Sequence, residues 1–509
     1  MATVAESGSF IESVAVRSAE LARGRWRKAF GAECMGLDYI RRGSLRVEAR
    51  FDPAFLKEQG VARPAEGAGR SPHLPSRCAS LVSRARESRS GGLLGVDVAL
   101  PALADGRHHG CWEHGRETRL YTPEPNAGAV KQIKLLKKQG DRATAKQIEQ
   151  MIEEPQAIWF TKGTPREVKK AVRSVVREAE DARSVPVLVA YNLPFRDCAQ
   201  FSAGGATTPD EYKAWIDALA AGIGGSKAIV ILEPDSLGII PWYKQFRGLP
   251  SQAGDYEWCQ PTEADEATAA DERFAMLRYA VEKLGALAKA SVYLDGTHTD
   301  WLGSGDAAHR LAQAGATGAD GFFLNVSNYQ LTERLEKYGA WVAKCLWFGT
   351  DPSSWGKDHF DWCASQYYPA SAGDFSTWGL SDEWYVNNVE SQGSYPGEEN
   401  IKHFVIDTSR NGQGPWTPTA GYPDAQNWCN PPDRGLGHLP TVRAEGELID
   451  AYLWIKIPGE SDGECTRGLG PAGETIDPEW GFVDPAAGYW FPEMAVDLVK
   501  NAEPLRRGR

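Results

Sequence analysis

The sequence predicts an α/β protein in which parallel strands alternate with helices and form a barrel or a doubly wound sheet. Two observations support this prediction: short apolar segments end abruptly in polar residues, and segments with helical periodicity lie between them. The clearest apolar segment is 228–232, which is followed by Glu233, Pro234 and Asp235. Proline stops strand pairing where the polar residues begin, so both carboxylates are expected at the carboxyl end of a buried strand.

The same pattern recurs along the chain. Further apolar segments ending in polar residues are 185–190, 291–294, 321–324, 403–406 and 451–455, and the segment 157–160 is expected to be a leading strand. Catalytic groups of α/β proteins collect at the carboxyl edge of the sheet, so we expect a site there. The alternative for any single carboxylate is that it caps the next helix or pairs with a surface base.

Helix signals separate these strands. Thr164-Pro165-Arg166-Glu167 and Thr208-Pro209-Asp210-Glu211 each offer an N-cap, a first-turn proline and a capping-box glutamate. An apolar stripe at helical spacing follows the first signal and consists of Val168, Val172, Val175, Val176 and Ala179. The sequence therefore alternates strand and helix from about residue 155 to about residue 500.

Two motifs resemble the signatures of glycoside hydrolase family 6, the inverting cellulases. They are Y-N-L-P-F-R-D-C at 191–198 and I-L-E-P-D-S-L at 231–237. Supporting matches are L-D-G-T-H-T-D-W-L at 294–302, N-V-S-N-Y at 325–329, I-D-T-S-R-N-G at 406–412, N-W-C-N at 427–430 and W-I-K-I-P-G-E-S-D-G at 454–463. The matches follow the order of the family, which a chance match to one motif does not explain. The resemblance covers nothing before about residue 110.

The resemblance implies a fold and a mechanism. The fold is a distorted, TIM-like barrel of seven parallel strands with a cleft or tunnel at their carboxyl ends. Inverting hydrolysis needs an acid that protonates the leaving oxygen and a base that activates water on the opposite face of the sugar. Asp235 is the expected proton donor, Asp197 its charged neighbour, Asp462 the expected base, and Tyr191 lies beneath the distorted sugar.

Two alternatives remain open for these carboxylates. Asp235 needs a raised pKa, which partial burial and a neighbouring negative charge would provide. The alternative for Asp197 is a salt bridge with Arg196 or Arg410, which would lower its pKa and could coexist with the functional role. The base of the family is disputed, and Asp462 could act through a chain of waters.

Aromatic residues are expected to bind sugar rings. Pyranoses present apolar C–H faces that stack on flat side chains, and the chain has 18 tryptophans. The resemblance implies stacking by Trp159, Trp301 and Trp428 and polar contacts with the substrate by Asp295, His298, Asn325, Lys456 and Glu460. The alternative for any single tryptophan is a place in the core.

One departure from the family bears on the mode of attack. Members that degrade crystalline cellulose carry a second tryptophan three residues after the position of Trp301, and this chain has Ser304 there. The long segment between Asp462 and Trp490 is similar to the loop-rich cellobiohydrolases. On balance we expect exo action, with an open-cleft endoglucanase as the alternative. A non-catalytic glucan-binding barrel is the more distant alternative.

Composition narrows the remaining properties. The net charge of −12 argues against a nucleic-acid partner, and no apolar stretch is long enough for a membrane span. The resemblance implies disulfides between Cys198 and Cys259 and between Cys429 and Cys465. Cys345 and Cys363 flank an insertion and are a further candidate pair. No C-x-x-C pair exists to suggest zinc. We expect a secreted monomer that needs no metal or cofactor and whose partner is a β-1,4-glucan.

The first hundred residues lack the alternating strand and helix pattern of the rest of the chain. The basic stretch 83–89, the apolar stretch 91–100 and the small residues 102–104 have the order of a secretory signal. We therefore expect an N-terminal extension at 1–104 with a signal peptide at 83–104, followed by a catalytic domain at 105–509. The alternative is a disordered extension without a signal.

Overall fold

A computed structural model describes residues 118–245, 255–442 and 448–502 of the 509. The proposed signal peptide and Cys34, Cys78 and Cys111 lie outside these residues. The described residues contain one sheet with the strand order β1-β2-β3-β4-β5-β6-β8-β7. The strands are β1 (Ile158–Phe160), β2 (Val187–Ala190), β3 (Ala228–Leu232), β4 (Ala290–Asp295), β5 (Gly321–Leu324), β6 (His403–Asp407), β7 (Thr441–Val442) and β8 (Ile449–Leu453).

The sheet confirms the predicted α/β architecture of parallel strands. β1 to β6 and β8 pair in parallel, and each neighbour in sequence is also a neighbour in space until β6. The backbone N–H of Ala157 donates to the carbonyl of Trp454 at 2.9 Å, so the first and last parallel strands meet. The two-residue β7 adds an antiparallel edge to β8, which the apolar pattern did not predict.

Helices cover the outside of this sheet. They are α1 (Ala127–Gln139), α2 (Arg142–Glu153), α3 (Pro165–Asp181), α4 (Pro209–Ile223), α5 (Ala269–Gly285), α6 (Ser304–Gln313), α7 (Thr332–Thr350), α8 (Gly379–Tyr385) and α9 (Pro492–Lys500). α3 begins with the predicted capping box at Thr164 and Glu167. α4 has its N-cap at Thr208, but the Glu211 carboxylate accepts from the backbone of Thr207 at 3.0 Å, one residue before the cap. No described helix is both long and apolar enough to cross a membrane.

Alternate residues of each strand pack on opposite sides of the sheet. Leu188 and Val230 pack toward the helices, whereas their neighbours Val189 and Ile231 belong to a smaller core inside the curled sheet. All four side chains are fully buried. Apolar cover on both faces explains why the strands are continuous apolar runs, and it leaves their carboxyl ends as the place where polar residues can emerge.

Three disulfides hold the loops between these elements. Both pairs that the family resemblance implies are bonded, Cys198 to Cys259 and Cys429 to Cys465. A third bridge joins Cys345, in α7, to Cys363 in the connection that follows. The first bridge links the loop after β2 to the segment before α5, and the second links two loops after β6 and β8.

The bridges should contribute unequally to stability. Replacing Cys198 and Cys259 together with alanine should lower the free energy of unfolding by about 2–4 kcal/mol. Replacing Cys345 and Cys363 should cost about 1 kcal/mol less, because that bridge spans 18 residues and the first spans 61. Guanidinium unfolding of both double variants measures the difference. A larger loss for the shorter bridge would contradict the loop-closure argument.

Candidate active site

A cavity of about 700 Å³ opens at the carboxyl ends of the parallel strands. Its wall contains four carboxylates that the sequence singled out, three of them as catalytic groups, together with aromatic and polar side chains. Ten of the twelve predicted catalytic and substrate-binding residues line it: Trp159, Tyr191, Asp197, Asp235, His298, Trp301, Trp428, Lys456, Glu460 and Asp462. The fold therefore brings together residues that are spread over three hundred positions of the chain.

Asp235 lies in the loop directly after β3, in a left-handed backbone conformation (φ 64°). Burial raises the pKa of its carboxyl well above the usual range, and the negative charges of Asp295, Asp197 and Asp462 raise the pKa further. Lys456 opposes this shift. Asp295 raises the pKa of Asp235 more than Asp197 does. Asp197, the neighbour expected from the sequence, is therefore not the one with the largest effect on this pKa. The arrangement therefore favours the protonated form of Asp235.

Asp197 follows β2 and is also left-handed (φ 59°). Burial raises its pKa to about 6, although the backbone N–H of Ser202, which donates to it at 2.7 Å, and the charge of Arg196 both lower the pKa. The Arg196 guanidinium donates to backbone carbonyls, among them those of Thr161 and Ser202. Arg410 pairs elsewhere, as described below. The net shift is upward, opposite to what the salt-bridge alternative requires.

Tyr191 forms part of the cavity floor at the end of β2. Its ring lies under the guanidinium of Arg196, with 4.5 Å from Cζ to the ring centroid. Trp159 meets the same ring edge-on at 5.5 Å and donates its indole N–H to the carbonyl of Ile455 at 2.8 Å. Trp159 is thus held between Tyr191, which follows the neighbouring strand β2, and Ile455, which follows β8.

Asp462 is a buried carboxylate with its hydrogen-bonding capacity used within the protein. Arg410 donates to both of its oxygens, at 2.9 and 3.0 Å. The Tyr329 hydroxyl and the Asn430 backbone N–H also donate to it, and Lys456 lies 3.3 Å away. Burial alone would raise the pKa of Asp462, but Arg410 and Lys456 outweigh burial and hold the pKa below its usual value. Asp462 is therefore ionised at neutral pH.

Of the partners of Asp462, Tyr329 and Asn430 were not singled out from the sequence, and Arg410 was considered only as a partner of Asp197. Each lies in a motif already noted for its family resemblance: Tyr329 in 325–329, Arg410 in 406–412 and Asn430 in 427–430. The sequence thus contained all of these residues in recognisable motifs, three of which contact the carboxylate of the fourth, Asp462. The sequence alone does not show that these motifs come together in the folded protein.

Two predicted substrate-binding residues do not line the cavity. Asp295 is 3% exposed and accepts from the backbone N–H groups of Leu237, at 3.1 Å, and Thr297, at 2.9 Å. Asn325 is 1% exposed, donates to the carbonyl of Asp407 at 2.9 Å and accepts from Gln330 at 3.0 Å. Both side chains support the loops of the rim from beneath. This differs from the direct contact with sugar hydroxyls expected from sequence.

Glu233 is a positioning residue that the sequence analysis left without a role. It follows β3 immediately, is 1% exposed, and its carboxylate accepts from the backbone of Asn192 at 2.9 and 3.0 Å and of Leu193 at 3.1 Å. Burial raises its pKa to about 7, against the lowering effect of these N–H groups. Glu233 thereby joins the loop that carries Asp235 to the loop that carries Asp197.

The polar residues of the wall are also constrained. His298 packs beside Trp301 at 5.5 Å between ring centroids, and its Nδ1 accepts from the backbone of Asp300 at 3.2 Å. Burial lowers the pKa of His298 to about 4, so the ring is neutral and its proton is on Nε2. Glu460 accepts from Asn126 at 2.7 Å. The cavity can therefore offer a neutral donor as well as charged groups.

Tryptophans occupy two sides of the cavity. Trp301 lies on one side, where its indole covers Gly238 so closely that a Cβ at that glycine would be 2.3 Å from the ring. Trp428 lies on another, 5.9 Å from the ring of Phe201. Both side chains are only partly buried. Their exposed faces suit stacking against sugar rings.

One cluster of the described residues brings together donor types that metals use, Cys465, Asp477 and Asp484. It does not fit a metal ion, because the Cys465 sulfur is bonded to Cys429 and Asp477 pairs with Arg467 at 2.7 Å. Metal-bound cysteine must be a thiolate. We assign this cluster to the support of the loop that carries Asp462.

Known proteins with related sequences are cellulases. Residues 116–502 match the model of the glycosyl hydrolases family 6. Endoglucanase A of Cellulomonas fimi is 32% identical over 349 residues, which are 68% of this chain and 54% of the relative. The 1,4-beta-D-glucan cellobiohydrolase CEL6A of Pyricularia oryzae is 29% identical over 336 residues, 62% of this chain and 57% of the relative. The chain spans just over half the length of these two relatives.

Solved structures agree with the sequence comparison. The endoglucanase Cel6 of Mycobacterium tuberculosis, solved with methyl-cellobiosyl-4-deoxy-4-thio-β-D-cellobioside, has a TM-score of 0.51 and 31% identity, and the match covers 75% of this chain and 97% of that one. Cellobiohydrolase II of Humicola insolens shares the fold, with a TM-score of 0.51, 21% identity, and coverage of 77% and 99%. The family model spans well over half of the chain, so this protein belongs to glycosyl hydrolase family 6.

Proposed function

We propose that this protein hydrolyses β-1,4-glucosidic bonds of cellulose or soluble β-glucans with inversion, and that Asp235 is the proton donor. The observation that carries the proposal is the electrostatic contrast within one cavity. Burial and three acidic neighbours raise the pKa of Asp235, whereas Arg410 and Lys456 lower that of Asp462. An inverting glycosidase needs such a protonated acid and an ionised base.

The substrate class is inferred from the wall of the cavity and from relatives. Aromatic side chains at Trp159, Trp301 and Trp428 suit the C–H faces of glucose units. The Mycobacterium tuberculosis endoglucanase was solved with a cellobiose-derived thio-oligosaccharide. These two facts support a β-1,4-glucan substrate for this chain. A binding barrel without catalysis is disfavoured by a different observation, the presence of Asp197, Asp235 and Asp462 in one cavity wall.

The other catalytic roles follow from the same contacts. Asp197 supports the charge state of Asp235, and Tyr191 forms the surface under the sugar at the point of cleavage. Asp462 takes the role of base. Because Arg410 already holds both of its oxygens, Asp462 acts on the attacking water through a further water and not by direct contact.

Two modes of attack fit this site. Exo action is supported by the long loop after Asp462, of which Ala487 and Gly488 reach the cavity wall. Endo action is supported by the relatives at 30–32% identity, which are named endoglucanases. We retain exo action as the first proposal. A viscosity measurement on carboxymethyl cellulose decides, because endo cleavage lowers viscosity faster than it releases reducing ends.

The compartment in which the protein acts is also inferred. The three disulfides among the described residues suit an oxidising environment. We propose a secreted enzyme that acts as a monomer.

Replacing Asp235 with alanine should abolish most turnover of polymeric glucan, by about 10²–10⁴-fold, because general-acid assistance is lost. Hydrolysis of a dinitrophenyl cellobioside should fall much less, since its leaving group needs no proton. The matched control is Asp217→Ala, which removes a carboxylate from the outer helix α4, where it accepts from the Tyr279 hydroxyl, and should change the two rates little. Equal losses on both substrates for Asp235→Ala would refute the proton-donor role.

The charges around Asp235 should set the basic limb of the pH–rate profile. The acid works only while protonated, so activity falls as pH rises through its pKa. Removing a negative neighbour lowers that pKa, and the basic limb of kcat/KM should move to lower pH. We expect Asp295→Asn to move it further than Asp197→Asn, because Asp295 is the stronger acidic neighbour.

The control for this experiment is Asp217→Asn. Asp217 lies on the outer helix α4, where it accepts from the Tyr279 hydroxyl at 2.8 Å. Its replacement should leave the basic limb in place. An unshifted limb in both site variants would mean that burial alone sets the pKa of Asp235.

Inversion has a test that needs no variant. Proton NMR early in the hydrolysis of cellotetraose should show the α-anomer before mutarotation, because water attacks the face opposite the leaving group. Initial β-anomer would exclude an inverting mechanism.

A further inference from the structure

Two exposed tyrosines lie outside the cavity wall, in a segment that contacts Trp301. Tyr367 is 46% exposed and Tyr368 is 81% exposed. Both belong to the segment 363–369, within the long connection between α7 and β6. None of the motifs that resemble the family includes this segment, and neither ring has a role in the site described above.

Direct contacts tie Tyr367 to the Trp301 side of the cavity. Its hydroxyl donates to the carbonyl of Trp301 at 3.1 Å. Its ring atom Cδ2 is 3.7 Å from the position that a Cβ on Gly303 would occupy. Burial raises the pKa of Tyr367, and the charge of Asp300, on the cavity wall, raises the pKa further. The Tyr367 phenol therefore lies against the chain at Trp301 and Gly303, beside residues that line the cavity.

The segment that carries both tyrosines is fixed along the residues that follow β4. The fully buried Gln366 donates its side-chain amide to the carbonyls of Thr299 and Leu302, both at 2.9 Å. The Ser365 hydroxyl accepts from the backbone of Tyr367 at 3.2 Å and of Tyr368 at 3.3 Å. The Cys345–Cys363 disulfide anchors the start of the segment to α7. A backbone held in this way loses little freedom when a ligand binds, and the hydroxyl bond to Trp301 restrains the Tyr367 ring as well.

Ser304 contributes to the same arrangement. It is fully buried at the start of α6, and its hydroxyl donates to the carbonyl of Ala364 at 2.6 Å. A side chain at this position points into the protein and not along the cleft. Aromatic surface beyond Trp301 is supplied instead by the connection that packs over Ser304.

We propose that Tyr367 and Tyr368 form an additional sugar-binding subsite that takes a β-1,4-glucan chain as it leaves the cavity past Trp301. Tyrosine presents a flat apolar ring together with a hydroxyl that can meet an equatorial sugar hydroxyl. The subsite rests on the proposed function, because its ligand is the same polymer. It extends the length of chain that the enzyme recognises and thereby favours longer substrates.

Binding to oligosaccharides of two lengths tests the subsite without turnover. The parent is Asp235→Ala, and titration calorimetry gives its Kd for cellotetraose and for cellohexaose. In the double variant Tyr367→Ala/Tyr368→Ala of this parent, the Kd for cellohexaose should rise about 3- to 10-fold, the range expected from one or two stacking contacts. The Kd for cellotetraose should stay within about twofold, since the shorter chain fits within the cavity.

Three further variants separate stacking from indirect effects. Tyr368→Ala alone changes a ring that is mostly in solvent and should give part of the loss without affecting folding. Tyr367→Phe keeps the ring, removes the bond to the Trp301 carbonyl, and should keep most of the affinity. Tyr279→Ala, on the outer helix α5, is the matched control and should change neither Kd.

Each contrary outcome has a distinct meaning. An unchanged Kd for cellohexaose in the double variant would overturn the subsite. An equal rise for both ligands would also overturn it, because the tyrosines would then act only by supporting Trp301. If the parent binds neither oligosaccharide, the proposed function itself fails and the subsite fails with it.

Discussion

The rim of the active site depends on buried carboxylates that accept backbone N–H groups from neighbouring loops. Glu233 directly follows β3 and holds the loop after β2, and Asp295 ends β4 and holds the loop after β3. Asp407 ends β6 and accepts from Lys456 at 2.9 Å, in the loop after β8. Buried backbone groups need partners, and a carboxylate can satisfy several at once. These contacts position the loops whose outer residues form the cavity.

The acids at the carboxyl edge of the sheet therefore have two different roles, holding loops or lining the cavity. Carboxylates at the strand ends are used up in holding loops, whereas Asp197, Asp235 and Asp462 lie further out and reach the cavity. Their surroundings then separate them, because Asp462 has two cations beside it and Asp235 has three anions. The acids further from the strand ends are the ones that line the cavity, and the charges around each of them raise or lower its pKa.

The sequence predicted the fold through features that act locally. Apolar runs marked the parallel strands, and the capping signal at Thr164 marked the start of α3, because burial and helix caps depend on residues close in the chain. β7 was missed because it has only two residues and no apolar run. The functions of Asp295 and Asn325 were missed because a polar residue after a strand gives no sign of how deeply it will be buried. The pairing of Arg410 with Asp462 is a contact between distant segments, which no local pattern encodes.

The Trp301 side of the site shows why a single position is a poor guide to the mode of attack. An indole at position 304 would need the space that Ala364 and the rest of its segment occupy, since Ser304 is fully buried beneath them. That segment also carries Tyr367, whose hydroxyl reaches the Trp301 carbonyl. A ring at 304 and the tyrosine arrangement therefore exclude one another. At this end of the cleft, Ser304 is buried under a segment that carries its own aromatic residues. The mode of attack therefore depends on the whole connection between α7 and β6 and cannot be inferred from position 304 alone.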